Sequence, residues 1–159
     1  MMCEPQRKLL IRAYRGRGLL CWFIRWQTRS PYSHVALQFG SIAYESYPWK
    51  KPGKPSGLIR FDMTPDDYAA DAFGIEVPEH VYVSMERWAE SHVGDRYDWL
   101  AIFRFISRRR YTSNDKWICS GWIFKDFLDH CIRLLNETEE WEVSPGLLVR
   151  SPRVHREQK

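Results

Sequence analysis

Residues 33–47 read Ser33-His34-Val35-Ala36-Leu37-Gln38-Phe39-Gly40-Ser41-Ile42-Ala43-Tyr44-Glu45-Ser46-Tyr47. Two six- to seven-residue runs, rich in β-branched and aromatic residues, flank Gly40-Ser41, which is the pattern of a β-hairpin. Alternation puts His34, Ala36 and Gln38 on one face and Val35, Leu37 and Phe39 on the other. A two-residue loop sets Glu45 either directly opposite His34 or one step diagonal to it, on the same face in both registers. A three-residue loop would turn Glu45 to the other face.

The second informative stretch is Trp117-Ile118-Cys119-Ser120-Gly121-Trp122-Ile123-Phe124. Apolar periodicity begins at Cys119 and runs on to Leu135, predicting a helix over 119–135 with the cysteine in its first turn. The unpaired N–H groups and positive dipole end of a helix start favour thiolate over thiol. Ser120 and Gly121 are small and leave that helix end open to a substrate. A cysteine at a helix start, a histidine on a strand and a carboxylate beside it are the parts of a cysteine hydrolase. Of the other histidines, His130 lies on the cysteine's own predicted helix and cannot fold back to it, and His155 is in the tail. His34 is therefore the base candidate for Cys119, and Glu45 the group that orients it.

The remaining chain supplies the scaffold. Its 159 residues suit one domain spanning 1–159, with a polar, frayed tail from about residue 152. Aromatic residues make up 15%, eight of them Trp, which fits a well-packed domain. Further strands are expected over 8–14, 58–62 and 74–77. Helices are expected over 19–28, 84–92 (Ser84 as N-cap, Gly94 as stop) and 98–107. The helix over 19–28 is read as amphipathic with two buried flanks; core packing is the expected use of Trp22 and Trp26. Residues 48–57, with three lysines, three prolines and two glycines, form the obvious substrate-facing loop. The four cysteines form no C-x-x-C pair and no zinc-type spacing with histidine, so no metal, cofactor or disulfide framework is implied. No signal-peptide-like or transmembrane-length apolar run occurs, and a cytoplasmic location is expected.

Gly94-Asp95-Arg96-Tyr97 followed by Ile118-Cys119-Ser120-Gly121 resembles the G-x-x-Y … C-S-G signature of NlpC-type cysteine peptidases. There the histidine usually follows the cysteine. Here the histidine strand comes first, which resembles the circularly permuted branch of that superfamily: bacterial and phage papain-like hydrolases of the YiiX/YaeF kind and the lecithin retinol acyltransferase group. The resemblance covers roughly residues 7–150. It implies an α+β, permuted papain-like fold in which a small antiparallel sheet packs against the cysteine helix. It implies Cys119 as nucleophile, His34 as base and Glu45 as third member. Tyr97 and Ser120 fall to oxyanion or substrate binding, with the Cys119 N–H as a second oxyanion donor. Ile118 departs from the Asp common before the cysteine in unpermuted members.

The expected activity is hydrolysis of an amide through an acyl-enzyme, on a peptide, a peptidoglycan fragment, a γ-glutamyl compound or an isopeptide. Without a leader, action on cell wall would need a phage lysis system or a secretion machine. A thioesterase or acyltransferase working on acylated substrates is the alternative within the same fold; a wide apolar groove at Cys119 would favour it, and the exposed-looking Trp22, Trp26 and Trp49 are the candidate surface for one, core packing being the first expectation for Trp22 and Trp26. The third reading is a non-catalytic module holding nucleic acid or anionic lipid on Arg104, Arg108, Arg109, Arg110 and Lys116. A solvated, cationic helix end explains those residues as well, and the mild net charge of +4 does not demand a nucleic-acid partner.

Overall fold

The computed structural model describes residues 4–49, 56–99 and 116–158, and at Trp141 the backbone alone. The hairpin lies near the middle of a six-stranded antiparallel sheet. In chain order the elements are β1 (Gln6–Tyr14), α1 (Leu19–Thr28), β2 (His34–Phe39), β3 (Ile42–Tyr47), β4 (Gly57–Asp62), α2 (Pro65–Ala69), β5 (Asp71–Pro78), α3 (Glu79–Ser91), β6 (Arg96–Tyr97), β7 (Lys116–Trp117), α4 (Cys119–Asp129), a 3-10 turn (Glu140–Glu142), α5 (Pro145–Leu148) and β8 (His155–Arg156). The sheet order is β4-β3-β2-β1-β5-β8, and β6 and β7 form a separate parallel pair. The class is α+β.

Leu37 pairs with Tyr44, Gln38 with Ala43 and Phe39 with Ile42. The turn is thus the two-residue Gly40-Ser41, and Gly40 has the positive φ of 61° that such a turn needs at its first position. One sheet face carries Leu9, Ile11, Val35, Leu37, Tyr44 and Leu58 into the main core, against Tyr82, Met85 and Ala89 of α3 and Trp122, Ile123 and Phe127 of α4. The last three are fully buried, each worth about 2–3 kcal/mol of transfer free energy, so α4 is anchored firmly. On the opposite face Arg12 donates to Gln38 Oε1 (2.6 Å) and to the Tyr68 and Ala70 carbonyls (3.2 and 3.3 Å), tying α2 to the sheet. One carboxyl, Asp126 of α4, lies wholly in the main core. Burial raises its pKa to about 6, against the opposing pull of His130. His130 Nδ1 sits 3.1 Å from Asp126 Oδ1, but its hydrogen bond goes to the Asp126 backbone carbonyl at 2.8 Å.

Several boundaries differ from the sequence expectation. The helix expected over 84–92 begins at Glu79, directly after Pro78, because Val81, Tyr82, Met85 and Ala89 already bury its inner face. Ser84 is exposed mid-helix, and its Oγ lies 2.9 Å from His130 Nε2 at the end of α4. The helix expected to reach 135 stops at Asp129. Cys131 turns left-handed (φ 61°), and the Ile132 N–H closes onto the Phe127 carbonyl at 2.8 Å, a Schellman-type end. The apolar residues beyond it still pack on the core without helical structure. The tail is not frayed: β8 pairs with β5 at Phe73 and Gly74, and Val154 is buried. In α1 no residue is buried, which overturns the expectation of two buried flanks. The predicted helix over 98–107 lies outside the described residues apart from Asp98 and Trp99, and residues 50–55 of the Lys/Pro/Gly loop lie outside them too.

Gly57 has φ +109°, and a Cβ there would lie 2.1 Å from the Asp95 carbonyl oxygen. That carbonyl accepts the Leu58 N–H, and the Leu58 carbonyl accepts the Gly94 N–H, both at 2.9 Å, so the glycine lets β4 dock against the loop that leads to Tyr97. Gly57→Ala is expected to cost about 2 kcal/mol or more in denaturant unfolding. Gly40→Ala, with open space around its Cβ, is expected to cost about 1 kcal/mol.

Candidate functional site

β3 sends adjacent side chains to opposite faces, and both serve the site. Continuing the observed ladder places Glu45 opposite Ala36, one step diagonal to His34. Glu45 Oε2 lies 2.7 Å from His34 Nε2, with the two side chains 6% and 12% exposed. Ser46, the next residue, points the other way and donates its Oγ to the Trp117 carbonyl at 2.7 Å. Trp117 is two residues before Cys119 and is held again by its indole N–H on Asp95 Oδ2 (2.9 Å). One strand thereby orients the imidazole and fixes the segment that delivers the thiol.

His34 sits between two tyrosines. Tyr14 is its direct partner on β1, with ring centroids 5.7 Å apart, and the Tyr47 ring stands edge-on at 5.4 Å. Tyr14 in turn donates to Asp67 Oδ1 at 3.2 Å. These contacts leave the ring little freedom to rotate. Burial pulls the His34 pKa down, but hydrogen bonding and charge from Cys119 and Glu45 more than offset it and set it at about 10. With Nε2 committed to Glu45, Nδ1 is the nitrogen left for the thiol.

Cys119 is the first residue of α4 and is buried. No side chain caps this helix, since Ile118 at the N-cap position offers no hydrogen-bonding group. The first-turn N–H groups therefore meet no side-chain acceptor at the cap. Tyr97, on β6, is buried close enough to feel the charge of Cys119. Burial first, then that charge, pushes its hydroxyl pKa well above the usual value, so it remains a proton donor. The sequence reading thus names four residues that the fold brings together: Cys119, His34, Glu45 and Tyr97. Ser120 is fully buried beside them; its hydroxyl donates to the Val143 carbonyl, which ties α4 to the segment before α5, and the residue borders the small pocket at Cys119.

Two cavities flank these residues, one bordered by His34 and Glu45 and the other by Cys119 and Tyr97. A polar groove of about 830 Å³ is lined by Tyr14, Arg15, Arg17, Cys21, His34, Glu45, Tyr47, Asp66, Asp67 and Asp71. On the other side, a mainly apolar pocket of about 40 Å³ is lined by Phe23, Ile24, Gln27, Thr28, Ser33, Tyr97, Ile118, Cys119, Ser120 and Pro145. The contributions of α1, α2 and the β1–α1 turn were not legible in the sequence. Asp66 and Asp67 belong to a short helix whose signal was Thr64-Pro65 with an acidic capping-box partner, Asp67. Arg104, Arg108, Arg109 and Arg110 lie outside the described residues. Among the described residues, no helix is long and apolar enough to cross a membrane.

Neither the protein-family models nor the curated proteins compared with this sequence match it. The case for a function therefore rests on the arrangement of these side chains.

Removing the imidazole is expected to slow alkylation of Cys119 by iodoacetamide at neutral pH by about tenfold or more in His34→Ala, read residue by residue by mass spectrometry. Because the folded pKa of His34 lies above its unfolded value, its contribution to stability is full below about pH 6.5 and is lost as pH rises through about 10. Glu45→Gln is expected to move the His34 NMR titration to lower pH and to flatten that alkaline loss.

Proposed function

We propose that this protein is a cysteine hydrolase of the permuted papain-like kind, cleaving an amide through an acyl-enzyme. The observation that carries the reading is the Glu45–His34 contact of 2.7 Å on an imidazole whose pKa is raised by Cys119. An antiparallel sheet packed on the cysteine helix, with His34 and Glu45 preceding Cys119 in the chain, is compatible with the permuted arrangement.

In the reaction, the Cys119 sulfur attacks the amide carbonyl and the oxygen becomes an oxyanion facing the Cys119 N–H and the Tyr97 hydroxyl. Protonated His34 donates its proton to the leaving amine as the C–N bond breaks, and the acyl group stays on sulfur. Neutral His34 then takes a proton from water, the hydroxide adds to the thioester, and the carboxylate leaves with the thiol regenerated. Glu45 holds the ring in register and stabilises its charged form throughout.

The cavities favour a polar, peptide-like substrate. The larger groove offers cations and carboxylates together, as an extended chain with amides and charges requires. The apolar pocket at Cys119 holds on the order of three water-sized groups, enough for a small side chain and too short for a long acyl chain. An amide substrate is therefore preferred to an acyl-chain thioester.

A panel of fluorogenic peptide amides, γ-glutamyl amides and thioesters tests this. Amide turnover is expected, with a covalent adduct on Cys119 and a loss of about a thousandfold or more in kcat for Cys119→Ser. Turnover of thioesters alone would shift the assignment to acyl transfer. Full activity in Cys119→Ser would end the proposal. The alkaline limb of the kcat/KM profile is expected near pH 10, and lower in Glu45→Gln.

A further inference from the structure

The first helix is apolar where it meets solvent. Seven of the ten residues of α1 are Leu, Cys, Trp, Phe or Ile, yet none is buried. Leu19, Trp22 and Trp26 recur at helical spacing on one stripe and are 87%, 57% and 63% exposed. The two indoles stack on each other, 6.2 Å apart and 10° from parallel. A solvent-facing stripe of this kind on a ten-residue helix is a docking surface, since so short a helix gains little stability alone.

Charge identifies the partner. No Asp or Glu occurs between Glu4 and Glu45, a stretch that contains the whole of α1 and its flanks. Arg17 precedes the helix, Arg25 stands in its last turn and Arg29 is its left-handed C-cap residue. Arg15, a little earlier, is already engaged with Asp71 at 3.5 Å. A stripe of tryptophan and leucine bracketed by arginines is the composition of a helix lying in an anionic bilayer interface, with indoles at the headgroup level and guanidinium groups on phosphates. A second copy docking isologously on the same stripe would bring the same cations against each other. Nucleic acid would use the cations but not the aliphatic Leu19, the most exposed large apolar side chain described.

We propose that α1 is a membrane-surface anchor, lying on anionic phospholipid with Leu19, Trp22 and Trp26 in the headgroup boundary and Arg17, Arg25 and Arg29 on lipid phosphates. The other side of the helix, through Phe23, Ile24 and Thr28, lines the pocket at Cys119. The bilayer and the thiol are then separated by about one helix diameter, roughly 10 Å. Lipid binding needs neither Cys119 nor His34, so it stands apart from the hydrolase reading.

The full chain, incubated with vesicles of phosphatidylcholine alone or mixed with phosphatidylserine, is the test. Wild type is expected to float with the phosphatidylserine vesicles, to be released by salt, and to lose tryptophan fluorescence to brominated phosphatidylcholine included in them. Trp22→Ser/Trp26→Ser is expected to remove that quenching and most of the binding. Arg25→Glu/Arg29→Glu is expected to weaken binding about tenfold or more. Circular dichroism and the rate of Cys119 alkylation should match wild type in both variants, which separates lost binding from lost fold. Wild type that stays in solution with every vesicle overturns the proposal. So does equal binding by the Trp22/Trp26 variant. Self-association or nucleic-acid binding abolished by the same substitutions, without lipid binding, assigns the stripe to that partner and also overturns it.

Discussion

The ion contact between His34 and Glu45 depends on a single structural choice, the two-residue turn at Gly40-Ser41. One more residue in that loop would rotate Glu45 to the core side of the sheet, where a carboxylate has no imidazole to meet and Leu37 and Tyr44 already fill the space. The same register sends Ser46 inward to hold the Trp117 carbonyl. The hairpin therefore does two jobs through the strict alternation of a strand: one residue polarises the base, and its neighbour positions the chain that ends in the thiol.

The rest of the fold supports that pairing from either side. Below the sheet, Trp122, Ile123 and Phe127 lock α4 into the core, so the position of Cys119 is set by packing along the helix behind it. Above the sheet, Arg12 bridges β1, Gln38 and the end of α2, and Tyr14 joins His34 to Asp67. Helix α1 is different in kind. None of its residues is fully buried; one side lines the pocket at Cys119 and the other carries the exposed aromatic stripe. Burial is concentrated in the central strands, α3 and α4, whereas α1 contributes only half-buried and exposed side chains.

Much of the site was legible because its signals are local. Alternation around Gly40-Ser41 placed His34 and Glu45 on one face, and the onset of helical periodicity placed Cys119 at a helix start. Both readings need only the period of a strand or a helix. The errors came where a local signal competed with packing. Ser84 resembled an N-cap, but burial of Tyr82 extends α3 back to Pro78. Apolar residues after Cys131 continued the helical pattern, but a left-handed turn ends the helix and they pack on the core from an irregular, bent segment. Nothing local foretells that the Ser120 hydroxyl is taken by the Val143 carbonyl, twenty-three residues away.

The sequence by itself determined the strand and helix periods, the hairpin and the chemical identity of a thiol, an imidazole and a carboxylate in that order of elements. Tertiary structure alone decided that they come together, that Ser46 holds the segment leading to the thiol, and that no residue of α1 is buried. The physical reason is that periodicity reports which face a side chain takes, whereas contact depends on what covers that face, and the covering groups come from distant parts of the chain.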